Sequence, residues 1–214
     1  SVHQETGRHV IDVIAKDKAG NRSKKQTVVR VIKGEFEKGF VHLPKKKKYL
    51  LTDNEARKID YTKRAKAYSH FEPKQLWQGK SIKPAEGIIS SSFGKQRIYN
   101  NGVRRSTHLG IDIANATGTP VKATNSGVVV LAEKLPISGN AVIIDHGQKV
   151  FSVYYHLNSI LVHKGEQVKK EQLIGEIGTT GQSTGSHLHW GLIVNDVSVN
   201  PVEWTVKDFS YEHF

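Results

Sequence analysis

Residues 187–194 read His-Leu-His-Trp-Gly-Leu-Ile-Val, so two histidines are separated by a single apolar residue. A short run this rich in apolar residues predicts a β-strand. Side chains two positions apart on a strand share a face, and their α-carbons lie roughly 6.6 Å apart. Both imidazoles, those of His187 and His189, can therefore lean toward one centre.

Similar short runs of Val, Ile and Tyr occur from Gly87 onward, separated by turns that contain Gly and Asn. No helical period is visible there. These runs predict further strands at 121–123, 127–135, 141–145, 150–157 and 173–177. We therefore expect a mainly β domain at residues 87–214, built as a compact antiparallel β-sandwich or partly open barrel.

Residues 1–34 have a different pattern. Two runs rich in β-branched residues, 10–14 and 27–32, flank a polar segment with a Gly-Asn pair, which predicts a β-hairpin. The hairpin resembles the last two strands of a bacterial immunoglobulin-like domain. No signal sequence is present at Ser1, so we expect either that a signal has been removed or that the chain is a fragment of a longer protein.

Residues 35–86 are the least regular and are expected to link the hairpin to the β domain. The stretch around Asp53 has the capping and acidic residues of a helix start, which predicts one helix from about Asn54 to about Tyr68. The run Lys45–Lys48 predicts a solvated loop.

Composition restricts the chemistry. The 214 residues include 32 Lys and Arg against 20 Asp and Glu, a formal net charge of +12, which suits nucleic acid, an anionic membrane surface or an acidic polymer. The apolar stretches are too short for a membrane span. The chain has no Cys, which excludes disulfides, thiolate metal sites and a cysteine nucleophile. A metal site must therefore use histidine and carboxylate.

The second histidine motif is His108-Leu-Gly-Ile-Asp112. Four steps of a straight strand span about 13 Å, which is too far for two ligands of one zinc ion with bonds of about 2.1 Å. We therefore expect the chain to bend at Gly110, since glycine tolerates unusual dihedral angles. Two imidazoles and one carboxylate would leave a fourth position open for water, as is typical of catalytic zinc.

Residues 181–185, Gly-Gln-Ser-Thr-Gly, fit the G-x-S-x-G pattern of serine hydrolases. In those enzymes a helix follows the nucleophile, whereas here a strand is predicted to follow. We therefore favour a glycine-rich loop at the rim of the site over a nucleophilic Ser183. Gly79-Lys80-Ser81 lacks the upstream glycine of a phosphate-binding loop, so nucleotide binding is not predicted.

From His108 to Trp190 the chain is similar, block by block, to the lysostaphin-type (LytM-type) zinc metallopeptidases, which cut peptide bonds in peptidoglycan. The similarity extends over about Gly87 to Trp204. The blocks are His108–Ile113, Gly118–Val121, Gly127–Val129, Asn140–Gly147, Tyr155–Leu157, Val168–Gly175 and Thr180–Trp190.

This resemblance implies site residues. The ligands of one Zn²⁺ per chain fall on His108, Asp112 and His189. The catalytic base falls on His187, and a second catalytic histidine falls on His156. The other histidines are expected to be structural or exposed: His3, His9, His42, His70, His146, His163 and His213.

The resemblance also implies a function. We expect a zinc-dependent endopeptidase of peptidoglycan stem peptides or cross-bridges, periplasmic or extracellular in the cell envelope, with peptidoglycan and no nucleic acid as its partner. The alternative is a non-catalytic wall-binding or amidase-regulating module, which would require a broken ligand set. The bond that is cut does not follow from the sequence.

A further hypothesis concerns residues 35–86. An open zinc position is easily filled by a neighbouring side chain, so this segment could act as a lid that partly covers the site and restrains activity. It carries five candidate donors: Glu35, Glu37, His42, Asn54 and Glu72.

Overall fold

The computed structural model describes residues 4–210. The chain divides into two compact units, the first ending at Phe36 and the second beginning at Glu37. Two histidines that are predicted to be structural or exposed, His3 and His213, lie outside the described residues. Within the described range, no helix combines the length and apolar character that crossing a membrane requires.

The first unit is an antiparallel hairpin of strands β1 (Gly7–Lys16) and β2 (Arg22–Val31). The predicted hairpin is therefore confirmed, with strands longer than the two β-branched runs. Its turn is held by Asp17, whose carboxylate accepts hydrogen bonds from the backbone N–H of Asn21 at 2.9 Å and from its side-chain amide at 2.8 Å. The resemblance to an immunoglobulin-like domain stays a prediction.

Within residues 37–210, the second unit contains fourteen strands and two α-helices. The strands are β3 (Lys38–Val41), β4 (Ile88–Ser91), β5 (Gln96–Tyr99), β6 (Arg104–Thr107), β7 (Ile111–Ala114), β8 (Pro120–Lys122), β9 (Gly127–Leu135), β10 (Gly139–Asp145), β11 (Val150–Leu157), β12 (Ser159–Ile160), β13 (Gln167–Val168), β14 (Leu173–Glu176), β15 (His187–Val194) and β16 (Val197–Val199). The helices are α1 (Asn54–Tyr68) and α2 (Glu203–Val206), with 3₁₀ helices at Lys45–Leu51 and Asn100–Gly102.

These strands form three sheets. The large sheet has the order β13-β9-β10-β11-β15-β7-β4, with β16 also paired to β15. The small sheets have the orders β12-β14-β8 and β3-β5-β6. All pairs are antiparallel except β3 with β5. The predicted mainly β, antiparallel architecture is confirmed, with this one parallel pair as the exception.

Both faces of the large sheet are buried in its centre. On β10, Ile144 packs in the cluster that contains Ile174 of the sheet β12-β14-β8. The neighbouring Ile143 points the other way and packs in the cluster that contains Ala67 of α1. A strand that is covered on both faces needs apolar side chains in both orientations, which explains its continuous apolar run. The unit is therefore a sandwich with a helix on its outer face.

The predicted helix begins and ends where the sequence places it. Asp53 caps its N-terminus by accepting a hydrogen bond from the backbone N–H of Ala56 at 2.9 Å. The prediction of a solvated loop at Lys45–Lys48 is wrong for the backbone, which forms a 3₁₀ helix, and for Lys47, which is partly buried; the other three lysines are exposed. Its ammonium group donates to the carbonyls of Thr179 and Ser183.

Helix α1 is fixed to the sheet by a buried carboxylate. Asp60 is 1% exposed and accepts hydrogen bonds from the backbone N–H groups of Ile137 and Ser138 at 2.9 and 2.8 Å. Its other oxygen accepts from the Ser138 hydroxyl at 2.8 Å and lies 2.9 Å from Nε of Arg64. Residues 37–86 and the β domain are therefore packed together in one unit.

Asp60→Ala should lower the free energy of unfolding by about 3–5 kcal/mol, because it leaves buried donors and the Arg64 cation without their partner. Urea unfolding followed by tryptophan fluorescence measures this change, since all three tryptophans lie in the second unit. The matched control is Asp53→Ala, which removes only the helix cap and should cost about 1 kcal/mol. Equal losses in the two variants would contradict the role of Asp60.

Candidate metal centre

Neighbouring strands align one metal-ligand candidate with another. His189 on β15 lies directly opposite Asp112 on β7, and opposite Tyr155 of β11 on its other side. Directly opposite residues share a face of the sheet. The alternate residues of β15, Leu188 and Trp190, are buried in the core on the other face. The strand ladder therefore gathers these polar side chains on one face, as the spacing of the two histidines predicts.

His108 reaches this face through a break between two strands. Strand β6 ends at Thr107 and β7 begins at Ile111, so the expected bend near Gly110 is present. The reason for the glycine differs from the expected one, because Gly110 does not adopt a positive φ. Instead, a Cβ atom there would lie 2.5 Å from the carbonyl oxygen of Trp190 and 2.8 Å from Nε2 of His189. The glycine permits a close approach of the chain to β15.

Three donor atoms converge on one point. Nε2 of His108 is 2.9 Å from Nδ1 of His189 and 3.0 Å from Oδ1 of Asp112, and the last two atoms are 3.1 Å apart. In a tetrahedral zinc site with bonds of about 2.0–2.1 Å, ligand atoms lie roughly 3.3 Å from each other. The three side chains therefore fit one face of such a tetrahedron and could hold a metal ion.

Surrounding groups fix the orientation of these donors. Nδ1 of His108 lies 2.9 Å from the carbonyl oxygen of Ser92, to which it donates as an N–H, so its Nε2 lone pair faces the centre. The guanidinium of Arg97 donates to Oδ2 of Asp112 and to the Ser91 hydroxyl. Arg97 thus holds Oδ2 of Asp112, while Oδ1 faces the point on which the three donor atoms converge.

The protonation states also suit metal binding. Burial lowers the pKa of His189 to about 4, so this ring is neutral at pH 7. Burial alone would raise the pKa of the Asp112 carboxyl, but the neighbouring imidazoles of His108 and His189 hold it well below its usual range. Metal ligands must be deprotonated, and this set offers a neutral imidazole and an ionised carboxylate.

Two further histidines lie beside the three donors. Nε2 of His187 is 3.8 Å from Oδ1 of Asp112, and its Nδ1 lies 2.9 Å from the carbonyl oxygen of Gly185. The ring of His156 is centred 4.9 Å from that of His187, and its Nδ1 lies 2.9 Å from the carbonyl oxygen of Thr180. We assign the ring N–H of each to Nδ1, since a carbonyl can only accept.

His156 reaches the site because β11 is irregular. The register between β10 and β11 shifts between Asn140 and Val142, and His156 has a left-handed φ of 65°. A bulge of this kind re-aims a side chain that strict alternation would send to the other face. Burial, with the neighbouring His187 and His189, lowers the pKa of His156 well below its usual range.

Ser183 does not have the surroundings of a nucleophile. It is 1% exposed, and its hydroxyl donates to the carbonyl oxygen of Gly185 at 2.7 Å. The Ser183 oxygen also lies 3.3 Å from Nδ1 of His187, which points its other nitrogen toward Asp112. A strand, not a helix, follows the motif. The geometry favours the predicted loop at the rim of the site.

A groove of about 400 Å³ runs beside the donors and is lined by Asp112 and His156. Residues 182–187 line it from the C-terminal part of the chain, and residues 39–41 line it from strand β3. The segment upstream of the β domain therefore contributes to the groove. None of its five candidate donors belongs to the donor group that the described residues form. Restraint of activity by this segment stays a prediction.

Sequence reasoning gave no role to Arg97, Lys47 or the carbonyls of Thr180 and Gly185. Arg97 belongs to a different sheet from Asp112, so no local spacing connects them. Among the remaining histidines, His146 is buried and bonded to Ser126 and Ser152, away from the donors.

Comparison with known proteins finds a family match in this part of the chain. Residues 106–201 match Peptidase family M23. The chain is 44% identical over 115 residues to peptidoglycan DD-endopeptidase ShyA of Vibrio cholerae, which is 54% of this chain and 27% of that protein. The chain spans about a quarter of the length of the curated relatives it matches.

Two solved structures extend the likeness. A putative peptidase M23 from Pseudomonas aeruginosa has a TM-score of 0.71 and 27% identity, covering 95% of this chain and 75% of that one. A zinc containing peptidase from Vibrio cholerae has a TM-score of 0.55 and 34% identity, covering 58% of this chain and 40% of that one. Residues 106–201 therefore match peptidase family M23 in sequence, and the chain is similar in fold to solved structures of M23 peptidases.

Proposed function

We propose that this chain is a zinc-dependent endopeptidase that hydrolyses peptide bonds in the stem peptides or cross-bridges of bacterial peptidoglycan. The observation that carries the proposal is the convergence of His108, Asp112 and His189, whose donor atoms are 2.9–3.1 Å apart, with His187 beside them. Three protein ligands and an open fourth position are the arrangement of catalytic zinc sites.

In this proposal His108, Asp112 and His189 hold one zinc ion. Zinc bound there supplies a Lewis acid for the scissile carbonyl and lowers the pKa of water. Arg97 keeps Oδ2 of Asp112 engaged, so that Oδ1 is directed to the ligand position. The carbonyl of Ser92 holds the ring of His108 in its ligand orientation.

His187 is the proposed general base. Its Nδ1–H is directed to the carbonyl oxygen of Gly185, so Nε2 carries the lone pair that faces the donor group. That nitrogen can take the proton of the attacking water and then pass it to the leaving amine. Since Nε2 is 3.8 Å from Oδ1 of Asp112, it lies close to the centre without belonging to the donor group.

His156 is the proposed second catalytic histidine. Its Nδ1–H is directed to the carbonyl oxygen of Thr180, so it must gain a proton on Nε2 before it can donate to an oxyanion or an amine. Burial opposes that gain in the free enzyme. We therefore assign it to stabilising negative charge as it develops, since that charge would favour the protonated ring.

The substrate class rests on the relatives. ShyA and ShyC of Vibrio cholerae, which are 44% and 38% identical over the matched region, are named peptidoglycan DD-endopeptidases. On that support we propose DD cross-links as the bonds that this chain cuts, and the cell envelope as its location. A charge of +12 favours contact with an acidic wall polymer.

The alternative function is a non-catalytic wall-binding or amidase-regulating module. That function would be favoured by the loss of a ligand, whereas all three donors and both additional histidines are present. The endopeptidase is therefore the better supported proposal.

The purified, zinc-loaded chain should convert cross-linked muropeptides of a defined sacculus into uncross-linked ones, as measured by mass spectrometry. Chelation should stop the reaction, and added zinc should restore it, because the proposed chemistry would need a metal held by His108, Asp112 and His189. Ser183→Ala is the matched test of the competing motif and should stay within a few-fold of the parent. A chelator-resistant activity that Ser183→Ala abolishes would establish a serine hydrolase.

His189→Ala and His187→Ala should separate binding from chemistry. The first should lose both zinc and activity, because two protein ligands hold the ion far less well than three. The second should keep about one zinc per chain and lose about 10²–10⁴-fold in turnover, as expected for a missing general base. Metal analysis and a turnover assay measure the two effects. An equal loss of metal in both variants would make the proposed division of roles wrong.

A further inference from the structure

One loop supplies the hydrogen-bond acceptors that orient both additional histidines. This loop, residues 179–186, is called the rim loop here. The carbonyl oxygen of Thr180 accepts from Nδ1 of His156, and that of Gly185 accepts from Nδ1 of His187, each at 2.9 Å. These bonds determine which ring nitrogen carries the proton and which one faces the groove. The position of the rim loop therefore determines the tautomer and the orientation of both imidazoles.

The rim loop is held by a lysine from far upstream. Nζ of Lys47 donates to the carbonyl oxygen of Thr179 at 2.6 Å and to that of Ser183 at 3.2 Å. These two carbonyls lie on either side of Thr180, and that of Ser183 is two residues before Gly185. One ammonium group thus bridges the loop at its start and its middle through charge-assisted hydrogen bonds, which are stronger than neutral ones.

Helix α1 adds a second side-chain contact to the rim loop. The guanidinium of Arg57 donates to Oε1 of Gln182 at 3.0 Å, between the two carbonyls that Lys47 contacts. Both cations precede residues 106–201, which match the peptidase family. The side chains of the neighbouring Lys46 and Lys48 are exposed and form no hydrogen bond or ion pair with another described residue.

We propose that Lys47 is a positioning residue of the peptidase site. By bridging the carbonyls of Thr179 and Ser183, it fixes the rim loop and through it the imidazoles of His156 and His187. This inference rests on the proposed function. It gives Lys47 a part in catalysis although its side-chain hydrogen bonds go to the rim loop and not to the three metal-ligand candidates.

The test compares Lys47→Met with Lys46→Met, which removes the same charge one residue away. Lys47→Met should keep about one zinc per chain and should leave KM on a cross-linked muropeptide within about 3-fold. Its kcat should fall about 10–100-fold, because a misplacement of a catalytic group by about 1 Å can cost about 10²-fold in rate. Lys46→Met should resemble the parent. Lys47→Arg, which can still donate to both carbonyls, should recover most of the kcat.

A second readout does not depend on activity. Nitrogen NMR of the histidine rings in the zinc-loaded chain should report Nδ1–H for His156 and His187 in the parent and in Lys46→Met. In Lys47→Met both rings should lose this single tautomer. If Lys47→Met does not fold, Lys47→Gln replaces it and should give an intermediate change, since a neutral amide donates weaker hydrogen bonds than an ammonium group.

The outcomes separate the two proposals. An inactive parent with the expected ring signals would reject the peptidase function and keep the positioning role. Unchanged ring signals and kcat in Lys47→Met would overturn the role of Lys47. Equal losses in Lys46→Met and Lys47→Met would also overturn it, because they would indicate a general effect of positive charge on substrate capture.

Discussion

The structure of the second unit depends on one constraint, which is that three donor atoms must meet within 2.9–3.1 Å. Antiparallel pairing of β15 with β7 satisfies part of it by placing His189 opposite Asp112. The remainder requires His108 to return toward β15, and only a glycine at position 110 allows that approach. The core residues on the opposite face, among them Leu188 and Trp190, pack these strands together and so support the backbone that carries the donors.

Much of the fold could be predicted from the sequence, and what could not be predicted has a physical cause. Strands 127–135 and 150–157 have the expected bounds, because they are buried on both faces and are apolar almost throughout. Strands β3 and β5 were missed. They are four residues long, mix polar with apolar side chains, and pair in parallel across more than fifty residues, so no local pattern indicates them.

The residues of the candidate site also divide into those that the sequence pattern predicts and those that it does not. Alternation along β15 places His187 and His189 on one face, and this could be derived from two-residue spacing alone. The position of His156 could not be derived in this way, because a bulge and a left-handed backbone direct its side chain to the face opposite to the one that regular alternation predicts. Only the family resemblance indicated that His156 belongs to the site. Lys47 contacts residues 132 and 136 positions away, and its sequence context is that of an ordinary exposed lysine run.

We expect His108, Asp112 and His189 to be the protein ligands of one zinc ion. X-ray absorption spectroscopy at the zinc edge, on the full chain loaded with one equivalent of zinc, measures the number and type of ligands. We predict a four-coordinate site with two imidazole nitrogens and two oxygens at about 2.0–2.1 Å. A third imidazole in the shell would place His187 or His156 among the ligands and would make this ligand set wrong, as would a shell without imidazole.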